Sequence, residues 1–230
     1  MALRFESLTV RVQGDTGLLA LSRTANANAL DETALRELPL ALAQLEGRVR
    51  SLVLYGEGRS FCGGLDLSLL QSIREGLGDA AACPGRSREA FRRLILQMQV
   101  RVQGWSVEEG ERWATARMCS LAAPFLFATP QPSQDAITAV ERFRWPVVAA
   151  VHGACVGAGV DLITACDIRL ATSDARFCVK EVDLAIVADM GTLQRLPPLV
   201  GEGRARELAL TARTFSGKEV SSEGWTGRGG

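Results

Sequence analysis

The chain has 230 residues, 47% hydrophobic and 23% charged, enough to bury one sizeable core with at most a small appendage. Its 26 basic and 26 acidic side chains cancel, so no electrostatic footprint marks nucleic acid or an anionic membrane as a partner. Six cysteines without a C-x-x-C pair, and His152 as the single imidazole, argue against a metal site and read as reduced thiols filling apolar space.

In chain order, SLTVRVQG (7–14) and GLLALSR (17–23) predict two strands joined by a turn at Gly14 and Asp15. Asp31 stands as an N-cap ahead of a helix with Leu35, Leu38, Leu42 and Leu45 along one face, and Pro39 is expected to kink it. SLVLYG (51–56) reads as a buried strand, followed by the glycine-rich loop SFCGGLDL (60–67) running into a helix. PVVAAVHG (146–153) is a second apolar strand, leading through VGAG (156–159) into a helix from about 158 to 166. DIRLAT and ARFCVK read as strands, and two helical stretches run through GTLQRLPPLVG and ARELALTAR. Repeated strand, strand, helix units imply an α/β fold with sheet and helices in layers. No basic-then-apolar leader or membrane-length apolar run is present, so a soluble intracellular protein is expected.

The glycine turns and acids carry the chemistry. VGAG ahead of a helix leaves main-chain N–H groups unpaired at the positive end of the helix dipole. Gly63 and Gly64 permit a similar close approach in the earlier loop, where Asp66 can cap the next helix. Either turn can equally serve as a plain strand-to-helix connection. Asp161 lies in a first helical turn, Glu181 follows a strand, and Asp189 precedes MGTLQRL as a possible N-cap. His152 has no Ser or Cys nucleophile with a third orienting group in view and reads as a packed residue.

SRTANANAL, SFCGGLDL, PVVAAVHGACVGAGVDLITACDIR and KEVDLAIVADMGTLQRLP together resemble the enoyl-CoA hydratase/isomerase (crotonase) superfamily, most closely its plant-type Δ3,5-Δ2,4-dienoyl-CoA isomerases. The resemblance implies a crotonase-like spiral of ββα units and an isomerase of fatty-acid β-oxidation that moves the double bonds of 3,5-dienoyl-CoA to 2,4. By position it implies an oxyanion hole from the N–H groups of Gly63 and Ala158. It also implies catalytic acids at Asp161, Glu181 and Asp189, and an acyl-CoA channel lined by Ala27, Asn28, Ala29, Leu30, Cys62, Gly64, Leu65 and Asp66. Coenzyme A would be part of the substrate, with no cofactor and no metal. Enoyl-CoA hydratases are the alternative. They carry glutamates at the positions of Asp161 and Glu181 and no acid at that of Asp189, which makes Asp189 the discriminating residue.

The resemblance covers roughly 5–99 and 135–219, which implies a crotonase-like core over residues 1–99 and 135–219. Residues 100–134 break the rhythm and read as a non-family insertion without fixed order; residues 220–230 (VSSEGWTGRGG) read as a non-family tail unable to pack as a core element. Both stretches begin with codons compatible with a splice donor, which suggests translated introns. In the family the missing C-terminal helices cover the acyl pocket and build homotrimers that pair into hexamers. Their replacement predicts exposed apolar surface, impaired assembly and a product with little or no activity. The plant relatives imply a peroxisomal home, but the WTGRGG terminus carries no peroxisomal tripeptide, which leaves the cytoplasm as the other expectation.

Overall fold

The computed structural model describes residues 3–69, 132–184, 186–222 and 227–228, all within one compact unit. The predicted insertion therefore lies outside the described residues except at 132–134, as do Cys83 and Cys119.

The alternating apolar pattern at the start forms a hairpin. Strands β2 (Leu8–Gln13) and β3 (Thr16–Leu21) pair antiparallel with Gln13 opposite Thr16, so Gly14 and Asp15 alone make the turn. A short β1 (Leu3–Arg4) adds to the outer edge. Helix α1 (Glu32–Leu45) follows, its first turn closed by the Asp31 carboxylate, which accepts the Ala34 N–H at 2.7 Å. The helix runs through Pro39 as one span. Leu35, Leu38, Leu42 and Leu45, all buried beneath it, hold both halves on the core despite the lost main-chain bond. Glu37 points inward from the same helix and accepts the Glu6 and Ser7 N–H groups at 2.7 and 2.8 Å, tying the hairpin to the helix.

From β3 the main sheet continues in parallel through β4 (Ser51–Gly56), β5 (Val147–Val151) and β7 (Ile168–Ala171). Helix α2 (Pro132–Glu141) packs on α1 and feeds β5. It starts at Pro132, three residues before the expected resumption of the family pattern at Asp135. Between β5 and β7 the chain makes β6 (Ala154–Val156) and helix α3 (Ala158–Thr164). The sequence reading has a turn and a helix there and no strand. β6 belongs instead to a second sheet, in which it pairs parallel with β8 (Arg176–Cys178), itself antiparallel to β9 (Phe215–Ser216). Short helices α4 (Thr192–Arg195) and α5 (Pro197–Val200) precede α6 (Glu202–Thr211) and α7 (Gly217–Ser222). The layered α/β architecture expected from the strand–helix alternation is present.

The tail needs a correction. Val220, predicted to lie where nothing could pack, is 1% exposed and belongs to the core, held in α7 next to β9. One apolar side chain on a helical turn suffices for this, whatever the surrounding glycine and serine content. Further on, β10 (Gly227–Arg228) pairs parallel with β7 at Leu170 and Ala171. Among the described residues no helix is long and apolar enough to cross a membrane.

Candidate active site

Two loops meet where the sheets join. Cys62 bridges to Cys155, its N–H donating to Ala154 O at 2.9 Å and its carbonyl accepting from Val156 N at 3.0 Å. The glycine-rich loop is thereby stitched to the edge of β6. Helix α3 starts immediately beyond. A Cβ added at Gly159 would lie 2.9 Å from Cys62 Cβ, so only glycine lets the helix approach this closely. At the helix start, the Val160 and Asp161 N–H groups turn back to Gly157 O, and Gly157 N–H goes to Cys178 O. The Ala158 N–H has no acceptor among the described residues, as expected for the first position of a helix.

The donor predicted in the other loop is corrected. Gly63 N–H donates to Ala27 O at 2.8 Å and is already taken. Gly64 O and Asp66 N–H both bond to Leu30, which places the peptide groups of Leu65, between them, on the opposite edge. That edge faces β6 and the α3 turn, because a Cβ at Gly64 would lie 3.2 Å from Val156 O. Leu65 N–H has no acceptor among the described residues and is the available partner to Ala158 N–H. Sequence reasoning placed Leu65 only along the substrate channel. Regular alternation would turn the Gly63 and Leu65 N–H groups to the same side; the positive φ of Gly64 (107°) between them breaks it and separates the two donors.

Both loops border one cavity of about 300 Å³, lined by Gly63, Gly64, Leu65, Ala158 and all three predicted acids, with Leu67, Leu184, Ile186 and Met190 supplying apolar wall. Asp161 is 1% exposed and accepts the Thr192 N–H at 2.7 Å. Glu181 opens a 3₁₀ turn (Glu181–Leu184); its Oε1 lies 3.2 Å from where a Cβ at Gly157 would sit, and its buried Oε2 has no partner among the described residues. Asp189 is half-buried on the loop before α4 and does not cap it; the N-cap is Gly191.

Burial pushes the Glu181 carboxyl up to about 7, and the neighbouring charges of Asp161 and Asp189 add to the shift. Burial likewise raises Asp161 to about 6, against the opposing pull of Thr192, and moves Asp189 upward. Three carboxyls thus share one poorly solvated space, where one ionises more readily when its neighbours hold protons. The arrangement can hold an anion at two main-chain N–H groups while carboxyls lining the same cavity exchange protons with it.

Not every predicted channel residue faces this cavity: of the eight, only Gly64 and Leu65 line it. Asn28, Leu30 and Cys62 are buried in packing roles, which takes their side chains out of a substrate channel. Asn28 Nδ2 donates to the carbonyls of Glu57 and Ser60, both at 2.8 Å. Hydrogen bonds from Ser68, and then from Arg23 and Asn26, hold the Asp66 carboxyl well below the usual carboxylate range. Ala27 lends its carbonyl to Gly63, and Ala29 lends its own to Arg23. These residues shape the loop that presents Leu65. The buried thiols of Cys62 and Cys166 are pushed up to about 12 by burial and stay protonated, as small apolar groups do.

Asp161 makes the site costly to fold. Its raised value means the folded chain binds a proton more tightly than the unfolded chain, so the penalty is absent below pH about 4 and complete above about 6. Asp161→Asn keeps an oxygen for the Thr192 N–H and removes the charge. It is expected to raise stability at neutral pH by on the order of 3 kcal/mol and to flatten the decline across that window. Melting temperature against pH for both proteins checks this; an unchanged or lowered melting temperature in the variant would refute it.

The family described as Enoyl-CoA hydratase/isomerase matches residues 125–226, a range that includes the end of the predicted insertion and the start of the predicted tail. The chain is 44% identical over 208 residues to the peroxisomal Δ3,5-Δ2,4-dienoyl-CoA isomerase of Arabidopsis thaliana, covering 90% of this chain and 62% of that protein. It is 33% identical over 202 residues to the mitochondrial Δ3,5-Δ2,4-dienoyl-CoA isomerase of Dictyostelium discoideum, covering 87% of this chain and 56% of that one. The solved structure of an enoyl-CoA hydratase from Bacillus anthracis superposes with a TM-score of 0.67 at 27% identity, over 96% of this chain and 69% of that one. The fold is therefore crotonase-like, and the chain spans about three fifths of the length of the curated relatives it matches.

Proposed function

We propose that this chain, which matches the enoyl-CoA hydratase/isomerase family over residues 125–226 and is 44% identical to a plant dienoyl-CoA isomerase, isomerises 3,5-dienoyl-CoA thioesters to 2,4-dienoyl-CoA in its cavity. The observation that carries this reading is that Glu181 and Asp189 line one cavity with Leu65 and Ala158, whose N–H groups have no acceptor among the described residues. The thioester oxygen sits between those two donors. Asp189, ionised, takes a proton from C2; the C2–H electron pair enters the conjugated system as a dienolate whose charge rests on the thioester oxygen. Glu181, protonated, delivers its proton to C6, and the double bonds settle at 2 and 4. One C–H bond breaks and one forms, without net oxidation, and proton exchange between the two carboxyls or with water resets the site. Each main-chain donor contributes on the order of 3 kcal/mol to holding the developing oxyanion. Asp161, fixed by Thr192, lies beside the anion path and tunes its charge.

Nothing in these steps calls for a metal or redox cofactor. The acid at position 189 favours isomerisation over hydration of a 2-enoyl-CoA, because removal of a C2 proton and delivery to C6 need two acids set apart along the acyl chain. The similarity to a peroxisomal plant enzyme supports a role in fatty-acid β-oxidation. The purified chain, supplied with a 3,5-dienoyl-CoA, is expected to consume it and release the conjugated 2,4 product. Hydration of a 2-enoyl-CoA without any such conversion would overturn the assignment.

A further inference from the structure

Helix α2 presents three polar side chains on one face, Gln134, Thr138 and Glu141, spaced four and three residues apart. Gln134 reaches the loop that carries Asp189 directly, and Thr138 and Glu141 reach it through Arg195 of α4. Gln134 Nε2 donates to the Asp189 carbonyl at 3.1 Å, and the side chain is 4% exposed, unusual for an amide on the helix of an α/β layer. Its Oε1 is buried without a partner among the described residues, so the position accepts a desolvation cost in order to aim the amide N–H at that one carbonyl. Six residues beyond Asp189, at the end of α4, Arg195 bonds through Nη2 to Glu141 at 2.7 Å and Thr138 at 3.5 Å and donates Nη1 to Met190 O at 3.1 Å. Gly191 turns the chain at φ 118°, and Thr192 N–H then meets Asp161. Successive groups from 189 to 192 are thus each fixed, the first two by contacts that lead to α2.

We propose that this polar face of α2 is the device that positions Asp189, with Gln134 as its central residue. Gln134 touches no reacting atom and acts through the main chain of the base, so it is a positioning residue. The proposal rests on Asp189 being the proton acceptor for its catalytic consequence, but the mechanical part stands on the contacts alone. It also places Gln134 in the working core of the chain, although the sequence motifs put it at the end of a foreign segment.

Gln134→Met keeps length and fills the space but removes the N–H. Amide hydrogen exchange, read by mass spectrometry, is expected to become about fivefold or more faster in the peptide spanning 188–193, with α3 and the main sheet unchanged. In the same protein kcat for 3,5-dienoyl-CoA is expected to fall roughly 10- to 100-fold while KM stays within about twofold, the pattern of a misplaced catalytic group. Val140→Ala serves as control: buried in the same helix, it should lower the melting temperature without selective loosening of 188–193. Unchanged exchange in Gln134→Met, or loosening no more local than in Val140→Ala, overturns the proposal. If the wild-type chain shows no isomerisation, local loosening still supports the clamp and the failure falls on the functional reading alone.

Discussion

Asp189→Asn is expected to lower kcat for isomerisation by about 10²- to 10⁴-fold, the range of a lost general base, with KM little changed. The substitution is isosteric and leaves the main-chain carbonyl in place, so the Gln134 contact that holds the loop survives. It also removes one of three carboxyls that crowd the cavity, and the fold should lose nothing in stability. What the variant cannot do is accept the C2 proton. Incubation of acyl-CoA in heavy water should therefore show neither isomerisation nor uptake of deuterium at C2, while binding of the thioester persists. Substantial C2 exchange in the variant would assign the proton removal to another group, with Glu181 the next in line.

Much of this site could be read along the chain because its parts are local. VGAG at the start of a helix leaves the Ala158 N–H open as a first-position donor, and the acids at 161, 181 and 189 can be picked out as residues although not as neighbours. Their convergence depends on β6 and β8 lying side by side in the second sheet, a pairing between distant segments that no local pattern announces. The same nonlocality explains the misassigned donor. Whether Gly63 or Leu65 offers its N–H depends on Ala27 and Leu30 lying alongside, where main-chain bonds and the Arg23–Asp66 ion pair join the two stretches. Likewise Asn28 looked like a channel residue by position, but its amide satisfies two carbonyls of the neighbouring loop. Val220 was misjudged from composition, since one well-placed side chain decides burial there and an average over glycine and serine conceals it.

Glu181→Gln tests the other half of the proton path and should separate cleanly from Asp189→Asn. The Glu181 carboxyl, lifted by burial from 4.5 to about 7, is protonated on the acid side of that value and is lost as a donor as pH rises through it. The wild-type kcat/KM is accordingly expected to fall as pH increases past about 7, with the apparent value belonging to the coupled carboxyls together. The glutamine cannot deliver a proton to C6, so kcat should drop by about 10²- to 10⁴-fold and the alkaline limb should vanish from whatever activity remains. Because Asp189 is intact, the dienolate still forms, and the variant should continue to exchange the C2 hydrogen with heavy water although no 2,4 product accumulates. Removing the charge also relieves a folding penalty that grows between the unfolded and folded values, so the melting temperature should rise above pH about 7 and change little below about 4.5. Loss of C2 exchange together with isomerisation would show that Glu181 is needed to form the anion and not only to quench it, and the division of labour between the two carboxyls would have to be reversed.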